Sequence, residues 1–182
     1  MKKLGFFIVL FFLFSACSDL AKEKQLKSIE VLQNKLSQLD LNLSVNKIDT
    51  LAGLRWACNA VEIRIKNNLY QDTVDNVLGK KMDDYKRMRR SFGPISKAYF
   101  QLKGAIKEEN LALKNLKYDI ENGSGQRDKY DEFIAFEKGK IDQMNLLYED
   151  YVSRKKEAMF TFNRLHVSLD SFSRKLLLDH KK

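Results

Sequence analysis

The densest group of side chains able to bind a ligand is a run of cations near the middle of the chain, interrupted by two aspartates. Such a run could contact an anionic surface. The i,i+4 spacing of Asp83 with Arg87 and of Lys80 with Asp84 is also typical of a solvated helix face, and this interpretation is the stronger one. Nearby aromatic residues fall on the apolar side of the predicted helix, not among the cations as a nucleic-acid groove would require. The cations are Lys80, Lys81, Lys86, Arg87, Arg89 and Arg90.

Residues that could carry catalysis are scarce. The two histidines, His166 and His180, have no partner at a motif spacing. The sequence also contains none of the common nucleophile, phosphate-loop, zinc or dinucleotide motifs. Its acidic residues fall where helices normally expose them. We therefore expect no enzymatic activity, no metal and no cofactor.

The N-terminus has the pattern of an export signal. Two lysines precede the apolar run 4–14. This run has the length of a signal-peptide core and is too short to span a bilayer as a stable helix. The pattern predicts a signal peptide over residues 1–16.

The apolar run leads directly into a motif that predicts lipidation. Phe14-Ser15-Ala16-Cys17 resembles the lipobox of bacterial lipoproteins. The resemblance implies cleavage before Cys17, attachment of diacylglycerol to its thiol, and usually a further acyl chain on the new amino group. Two or more chains anchor stably, because each buried methylene contributes about 0.8 kcal/mol. Residues 17–19 then form a lipidated N-terminus. Ser18 resembles the second residue of lipoproteins sorted to the outer membrane and facing the periplasm.

The charge balance is basic. Of the 33 basic residues, two leave with the signal peptide, so the 31 that remain exceed the 24 acidic residues by seven. This excess permits attraction to phospholipid headgroups, lipopolysaccharide or nucleic acid. Because the chain carries an export signal, we expect no nucleic-acid partner and a membrane contact through the lipid anchor.

The element that organises the mature chain is a heptad seam from Ile134 to Leu176. Its apolar positions alternate three and four residues apart, with Glu137 and Lys155 in the two polar slots. A helix with such a seam must be covered by other helices. Further apolar residues beside the seam are expected to widen the buried face enough to contact two helices. They are Phe133, Phe136, Leu147, Val152, Met159 and Phe160.

The first helical segment after the signal covers residues 20–70 and changes register near Asp49. Asp49 and Thr50 are suitable N-cap residues for a restart at this point. Cys58 occupies a seam position and is expected to be a small buried hydrophobe. Trp56 flanks the seam and is expected to pack.

The second segment covers residues 73–121, with Asp72-Thr73 suited to cap it. Glu109 is the polar exception in its seam. Gly93-Pro94 interrupts it, because proline deletes an intrahelical hydrogen bond, and predicts a kink or a restart.

The lengths of the segments decide the predicted fold. Residues 20–70, 73–121 and 127–177 are nearly equal in length and are joined by short turns, with Gly123 suited to a left-handed helix cap. This pattern predicts an all-α fold over residues 20–182, an elongated antiparallel up-down-up three-helix bundle or coiled coil. Intermolecular pairing, and therefore an oligomer, stays open.

Three irregularities are predicted to meet in one layer of this bundle. Folding the chain at the first turn places Pro94 level with Asp49, and folding at the second places Gly93 level with Lys155. The Lys155 ammonium could then reach the carbonyl of Arg90, freed by the proline, or the Asp49 carboxylate. Our hypothesis is that this layer fixes the register of the helices.

Two short sequences permit a modification. Asp49-Thr50-Leu51 and Asp72-Thr73-Val74 resemble an acceptor pattern for O-glycosylation of exported proteins in some bacteria. Both occur where helix caps are needed, so capping is the primary interpretation.

Two classes of function agree with these features. The first is a membrane-anchored lipoprotein of the cell envelope that acts as a non-enzymatic helical spacer or protein-interaction module, with a protein partner. The second is a periplasmic holdase, because a basic, helical, exported chain of this size resembles the Skp class of periplasmic chaperones.

Overall fold

The computed structural model describes the backbone of residues 2–70 and 75–179, and the side chains of residues 20–70 and 75–179. Over this part the chain is all-α, as the sequence predicts, and has no strand. A 3₁₀ turn, Arg127–Lys129, precedes the last helix. The α-helices are α1 (Lys2–Val45), α2 (Leu51–Asn68), α3 (Asn76–Asn122) and α4 (Tyr130–Asp179).

The helices form two compact units. The first combines Met1–Asn42 with Lys103–Leu146, and the second combines Leu43–Leu102 with Leu147–Lys182. Because α3 and α4 each contribute to both units, every unit contains segments of three long helices. Each unit buries its own apolar face.

The core of the first unit includes a cluster formed by α1, α3 and α4. Ile29 of α1 packs with Leu116 and Ile120 of α3 and with Tyr130 of α4. The cluster follows from the sequence, because each helix places its apolar residues three and four positions apart on the covered side.

The core of the second unit is larger and contains aromatic side chains. Cys58 is fully buried, as its seam position predicts, and so are Tyr85 and Tyr151. The seam leucines Leu165 and Leu169 of α4 are buried as well. Tyr99 and Tyr151 meet with ring centroids 6.0 Å apart, so α3 and α4 are joined by an aromatic pair.

The junction between α1 and α2 lies where the register of the first segment changes. α1 ends at Val45 and α2 begins at Leu51. Thr50 occupies the N-cap position, but its side chain makes no capping hydrogen bond. The predicted side-chain cap at Asp49-Thr50 is therefore wrong, because Thr50 already has helical dihedral angles (φ −86°, ψ −19°) where a side-chain cap requires an extended residue.

The start of α3 differs from the sequence prediction. The helix begins at Asn76, and the carboxylate of Asp75 accepts a hydrogen bond from the amide of Val77 at 3.1 Å. Asp75 is therefore the N-cap residue, since this bond satisfies one of the amides that the first turn leaves without a helical acceptor. Residues 72–74, which include the cap predicted from the sequence, lie outside the described residues.

The predicted restart of the helix at Gly93-Pro94 does not occur, whereas the alternative, a kink, stays a prediction. α3 continues through Pro94 as one α-helix from Asn76 to Asn122. Phe92 and Ile95, on either side of the proline, are each 1% exposed, whereas Pro94 itself is exposed. Packing on both sides holds the backbone in the helix and outweighs the missing hydrogen bond.

The C-terminus of α3 ends in the left-handed glycine that the sequence predicts. Gly123 has φ +62°. The amide of Ser124 donates to the carbonyl of Asp119 at 2.8 Å, and that of Gly123 donates to Ile120 at 3.3 Å. This pair of bonds is a Schellman motif. The hydroxyl of Tyr130 also donates to the carbonyl of Asp119 at 2.8 Å, which ties the turn to the first residue of α4.

The apolar face of α4 is narrower than the sequence suggests. Phe136, Leu147 and Phe160 are each more than half exposed, and Phe133 is 39% exposed. On α2, Trp56 is 80% exposed and does not pack as expected. Periodicity identified the centre of each buried face, but apolar residues at its edges lie beyond the contact with neighbouring helices.

Leu169→Ala tests the seam in the second unit. Because Leu169 is 2% exposed, the truncation leaves a cavity, and we expect it to lower the free energy of unfolding by roughly 2–5 kcal/mol. The matched control is Leu178→Ala on the same helix, where the leucine is 65% exposed. We expect the control to change stability by no more than about 0.5 kcal/mol. Urea unfolding followed by circular dichroism measures both, and equal losses would contradict the burial pattern.

Candidate functional site

The cationic cluster predicted on α3 separates in the structure. Arg89 faces α2, where its guanidinium donates to both carboxylate oxygens of Glu62 at 2.6 and 3.0 Å. This bidentate bond raises the pKa of Arg89. Both side chains are largely buried, so Arg89 connects two helices and does not present its charge to a ligand.

The other cations of the cluster lie on the surface. Lys80, Lys81, Lys86 and Arg90 are exposed. Arg87 is also exposed and donates to the Asp84 carboxylate at 2.6 Å. Five of the six predicted residues therefore remain available to an anionic partner.

α4 supplies two further arginines that the sequence analysis did not select. Arg164 lies 3.6 Å from Asp84 of α3, and Arg154 pairs with Asp150 on its own helix. Both are about half exposed. Arg154 and Arg164 are far from the α3 cluster in the sequence. Their charges come close to it only because α4 packs against α3.

Some of these residues line a groove between α3 and α4 in the second unit, which we call the α3–α4 groove. It contains two cavities of about 450 and 550 Å³ that share Asp84 and Arg164 in their walls. The buried side chains of Met88, Ile95 and Leu165 contribute apolar surface. The cations of its walls are Lys80, Lys81, Arg87, Arg154 and Arg164, and the acidic residues are Asp84 and Glu157.

The predicted register layer is organised around the loop that joins α1 to α2. Lys155 donates from Nζ to the carbonyl of Lys47 at 2.6 Å, not to the carbonyl of Arg90. Burial lowers the pKa of Lys155, and the Asp49 carboxylate offsets part of this change. Gly93 of α3 lies close to Arg55 of α2, whose Nη1 is 4.0 Å from the position that a Cβ at residue 93 would occupy, and the meeting of Asp49, Gly93 and Lys155 in one layer stays a prediction.

Two tyrosines of the α4 seam bind the same loop, a contact that the heptad spacing does not predict. The hydroxyl of Tyr148 accepts from the side-chain amide of Asn46 at 2.8 Å, and Tyr151 donates to the carbonyl of Asn46. Burial raises the pKa of Tyr151 to about 12, so its hydroxyl keeps its proton. The segment between α1 and α2 is thus bound from three consecutive seam positions of α4, which are Tyr148, Tyr151 and Lys155.

Substitutions at Lys155 separate its packing from its charge. Lys155 occupies a seam position and is partly buried, so we expect its methylenes to cover apolar surface and Lys155→Leu to be more stable than Lys155→Ala by about 1–2 kcal/mol. Lys156→Ala, at the exposed neighbouring position, is the control and should change little. Chemical denaturation of the three variants provides the comparison. Equal stability of the leucine and alanine variants would mean that the Lys155 stem does not pack.

A polar layer also lies in the first unit, where two acidic seam residues meet. Glu109 of α3 is 1% exposed, and one of its oxygens binds Nζ of Lys140 on α4. The same ammonium binds Glu137 at 2.6 Å. The other oxygen of Glu109, Oε1, has no hydrogen-bond partner among the described residues. One cation therefore serves two carboxylates.

The sharing of one lysine by two glutamates shifts the pKa values in this layer. Burial raises the pKa of Glu109, the bond from Lys140 opposes the rise, and the bond to Glu137 adds to it. Burial by itself lowers the pKa of Lys140, but its bonds to Glu109 and Glu137 outweigh that effect and raise it. The lysine consequently stays charged, while Glu109 takes up a proton more readily than an exposed glutamate.

This arrangement predicts a pH dependence of stability. Because the native pKa of Glu109 is above its ordinary value of 4.5, the unfolding free energy should rise as pH falls from the native pKa toward 4.5. Glu109→Gln should remove this contribution and, at pH 7, leave stability unchanged or raise it by up to about 2 kcal/mol. Glu108→Gln, at the exposed neighbouring residue, should keep the wild-type profile. Denaturation at a series of pH values tests this, and identical profiles for wild type and Glu109→Gln would contradict it.

The buried thiol and the histidine belong to one network in the second unit. The hydroxyl of Tyr85 lies 2.5 Å from Nδ1 of His166 and is also bonded to the Cys58 thiol. Burial raises the pKa of Cys58 and lowers that of His166. At neutral pH the thiol is therefore protonated and the imidazole neutral. Tyr85 donates to Nδ1 in the tautomer protonated at Nε2 and accepts from Nδ1 in the other tautomer. A protonated, fully buried thiol is a poor nucleophile.

A second polar contact joins α2 to α4 in that unit. Arg64 binds the carboxylate of Asp170 and donates from Nε to the hydroxyl of Ser173 at 2.9 Å. Ser173 is fully buried. Its hydroxyl donates in turn to the carbonyl of Asp170 at 2.7 Å, so every polar group of this contact is used between or within helices.

Several predicted features lie outside what the structure describes. The side chain of Cys17 and its lipobox are among the residues whose side chains are not described, so lipidation stays a prediction. Thr73 lies in residues 71–74, which are also outside, whereas Thr50 is exposed and its hydroxyl makes no capping bond. Within the described residues, no group of three or more His, Cys, Asp or Glu side chains could hold a metal ion. No helix in the described part of the chain is long and apolar enough to cross a membrane.

Comparison with known proteins matches the chain to no family model, no curated protein and no solved structure.

Proposed function

We propose that this protein is a lipoprotein of the bacterial cell envelope that acts as a non-enzymatic helical spacer or protein-interaction module. In this proposal lipid on Cys17 anchors it to the membrane, most simply the outer membrane with the helices in the periplasm. The proposal rests on the contacts made by the side chains whose chemistry could support catalysis. Cys58, His166, Glu109 and Lys155 all bond to neighbouring segments of the same unit. Their polar groups are used in contacts that hold the helices together.

The exposed apolar residues support an interaction role. Trp56, Phe100, Phe136 and Phe160 are each more than 60% exposed. Large aromatic side chains are enriched where proteins contact one another. Binding to a partner would cover these side chains, which the fold itself leaves exposed to solvent.

We also infer an up-down-up course of the helices within each unit. In the first unit, Gln25 and Lys35 of α1 contact Asp131 and Asp142 of α4, so the residue numbers rise together and the helices are parallel. Along α3 and α4 the order reverses, since Glu109 contacts Lys140 while Asp119 contacts Tyr130.

The second unit supports the same course. Asn46 contacts Tyr148 and Arg64 contacts Asp170, which is the order of parallel helices. On α3, Asp84 contacts Arg164 whereas Tyr99 contacts Tyr151, which is the order of antiparallel helices. Within this unit the chain therefore runs up along α2, down along α3 and up along α4.

The anchor is tested by Cys17→Ser. Without the thiol no diacylglycerol can be attached, so we expect the protein to move from the membrane pellet to the soluble exported fraction. Cys58→Ala removes the other cysteine and should leave the protein with the membranes. Fractionation with a carbonate wash followed by immunoblotting measures both. Retention of the Cys17→Ser protein in the washed membranes would contradict lipid anchoring through this residue.

The alternative function is a periplasmic holdase resembling the Skp class of chaperones. The exposed aromatic residues named above favour it, because a holdase must cover apolar segments of unfolded clients. A holdase should oligomerise and suppress the light scattering of an aggregating, unfolded membrane protein at a stoichiometric ratio. A spacer with one specific partner should leave the aggregation unchanged.

A further inference from the structure

We propose that the α3–α4 groove of the second unit binds an acidic amphipathic segment of the partner protein. This inference rests on the proposed function as an interaction module and names the chemistry of its partner. It uses the surface that three of the six cations predicted from the sequence, together with two arginines of α4, create around an apolar floor.

The charge of the groove is the first argument. Its walls carry five cations against two carboxylates. Asp84 is already neutralised, because Arg87 lies 2.6 Å and Arg164 3.6 Å from its oxygens. Lys80 and Lys81 at one end are exposed and have no recorded carboxylate partner among the described residues. The groove therefore has unbalanced positive charge that carboxylates of a partner would neutralise.

The apolar surface of the groove is the second argument. Val77 lines the groove and is 60% exposed. Phe160 is 65% exposed, and the guanidinium of Arg164 lies 5.9 Å above its ring. The groove therefore has exposed apolar surface at Val77 and, beside Arg164, at the adjoining ring of Phe160. A segment with carboxylates on one side and apolar residues on the other matches both the cations and this apolar surface, as in helix-in-groove recognition.

Other occupants fit these observations less well. A second copy of the chain carries the same excess of positive charge and would oppose its own groove. A flat bilayer would reach the lysines at the rim but could not enter the two cavities between the helices. Nucleic acid would require aromatic side chains among the cations, and none of the described residues that line the two cavities is Phe, Trp or Tyr.

The experiment measures binding of a defined probe to the full chain. The probe is a fluorescent helical peptide of leucine and glutamate, and a peptide with lysine in place of each glutamate is its control. We expect the acidic peptide to bind wild type in fluorescence anisotropy and the basic peptide not to bind. Arg164→Glu, and separately Lys80→Glu, should each weaken binding by at least about tenfold. Lys107→Glu, an exposed cation outside the groove, should weaken it by less than about twofold.

Each result decides the proposal. Arg164→Glu and Lys80→Glu both replace exposed side chains, so circular dichroism of each variant should show the wild-type fold. If Arg164→Glu does not fold, Lys80→Glu provides an independent test. No peptide binding, or equal losses for Lys107→Glu and the groove variants, would overturn the proposal. Binding of anionic vesicles that depends on Arg164, without peptide binding, would assign the groove to a membrane surface instead.

A photo-crosslinking experiment in intact cells separates this inference from the proposed function. A photoreactive amino acid is placed at Val77 in the groove and, as a control, at Val31 on α1, which is 51% exposed. Crosslinking at position 77 to an acidic segment of one protein, lost with Arg164→Glu, supports both proposals. Crosslinking of a partner at position 31 alone would overturn the groove and keep the interaction module. Failure to crosslink any protein at either position, with suppression of client aggregation, would replace the module by the holdase.

Discussion

The constraint on which both units depend is that α4 remains continuous while the segments it contacts end or restart. At one such interruption in each unit, α4 supplies side chains that bind the freed backbone carbonyls. In the first unit Tyr130 binds the carbonyls at the C-terminus of α3. In the second unit Tyr151 and Lys155 bind the carbonyls of Asn46 and Lys47 between α1 and α2. Burying interrupted backbone without such partners would cost several kcal/mol.

The polar residues within the seams have a related role. Each unit contains polar groups where the helical repeat alone would place apolar ones. Glu109, Glu137 and Lys140 form one such layer, and Cys58, Tyr85 and His166 form another. Shifting one helix by a turn would leave these groups buried and unpaired, whereas an all-apolar seam would tolerate several registers. The polar contacts therefore act against wrong alignments more than they add stability.

The sequence predicted the all-α class, the buried seam positions and the left-handed glycine at residue 123, because each depends on local spacing or on one residue type. It was wrong about a helix restart at Pro94, where buried neighbours on both sides keep the helix continuous. It was also wrong about the side-chain cap at Thr50 and about the packing of Trp56. Only the α3 cations of the groove could be predicted from the sequence, because the contact of Arg164 with Asp84 depends on the packing of α4 against α3. The sharing of Lys140 by two carboxylates likewise depends on tertiary contacts that no local pattern contains.

The exposed position of Trp56 has a consequence for spectroscopy. It is the only tryptophan in the sequence, and 80% of its surface is in contact with solvent. An indole that is already hydrated emits at nearly the same wavelength before and after the chain unfolds. Intrinsic tryptophan fluorescence is therefore a poor reporter of folding for this protein. A shift of its emission to shorter wavelength would instead report that another molecule covers the outer face of α2.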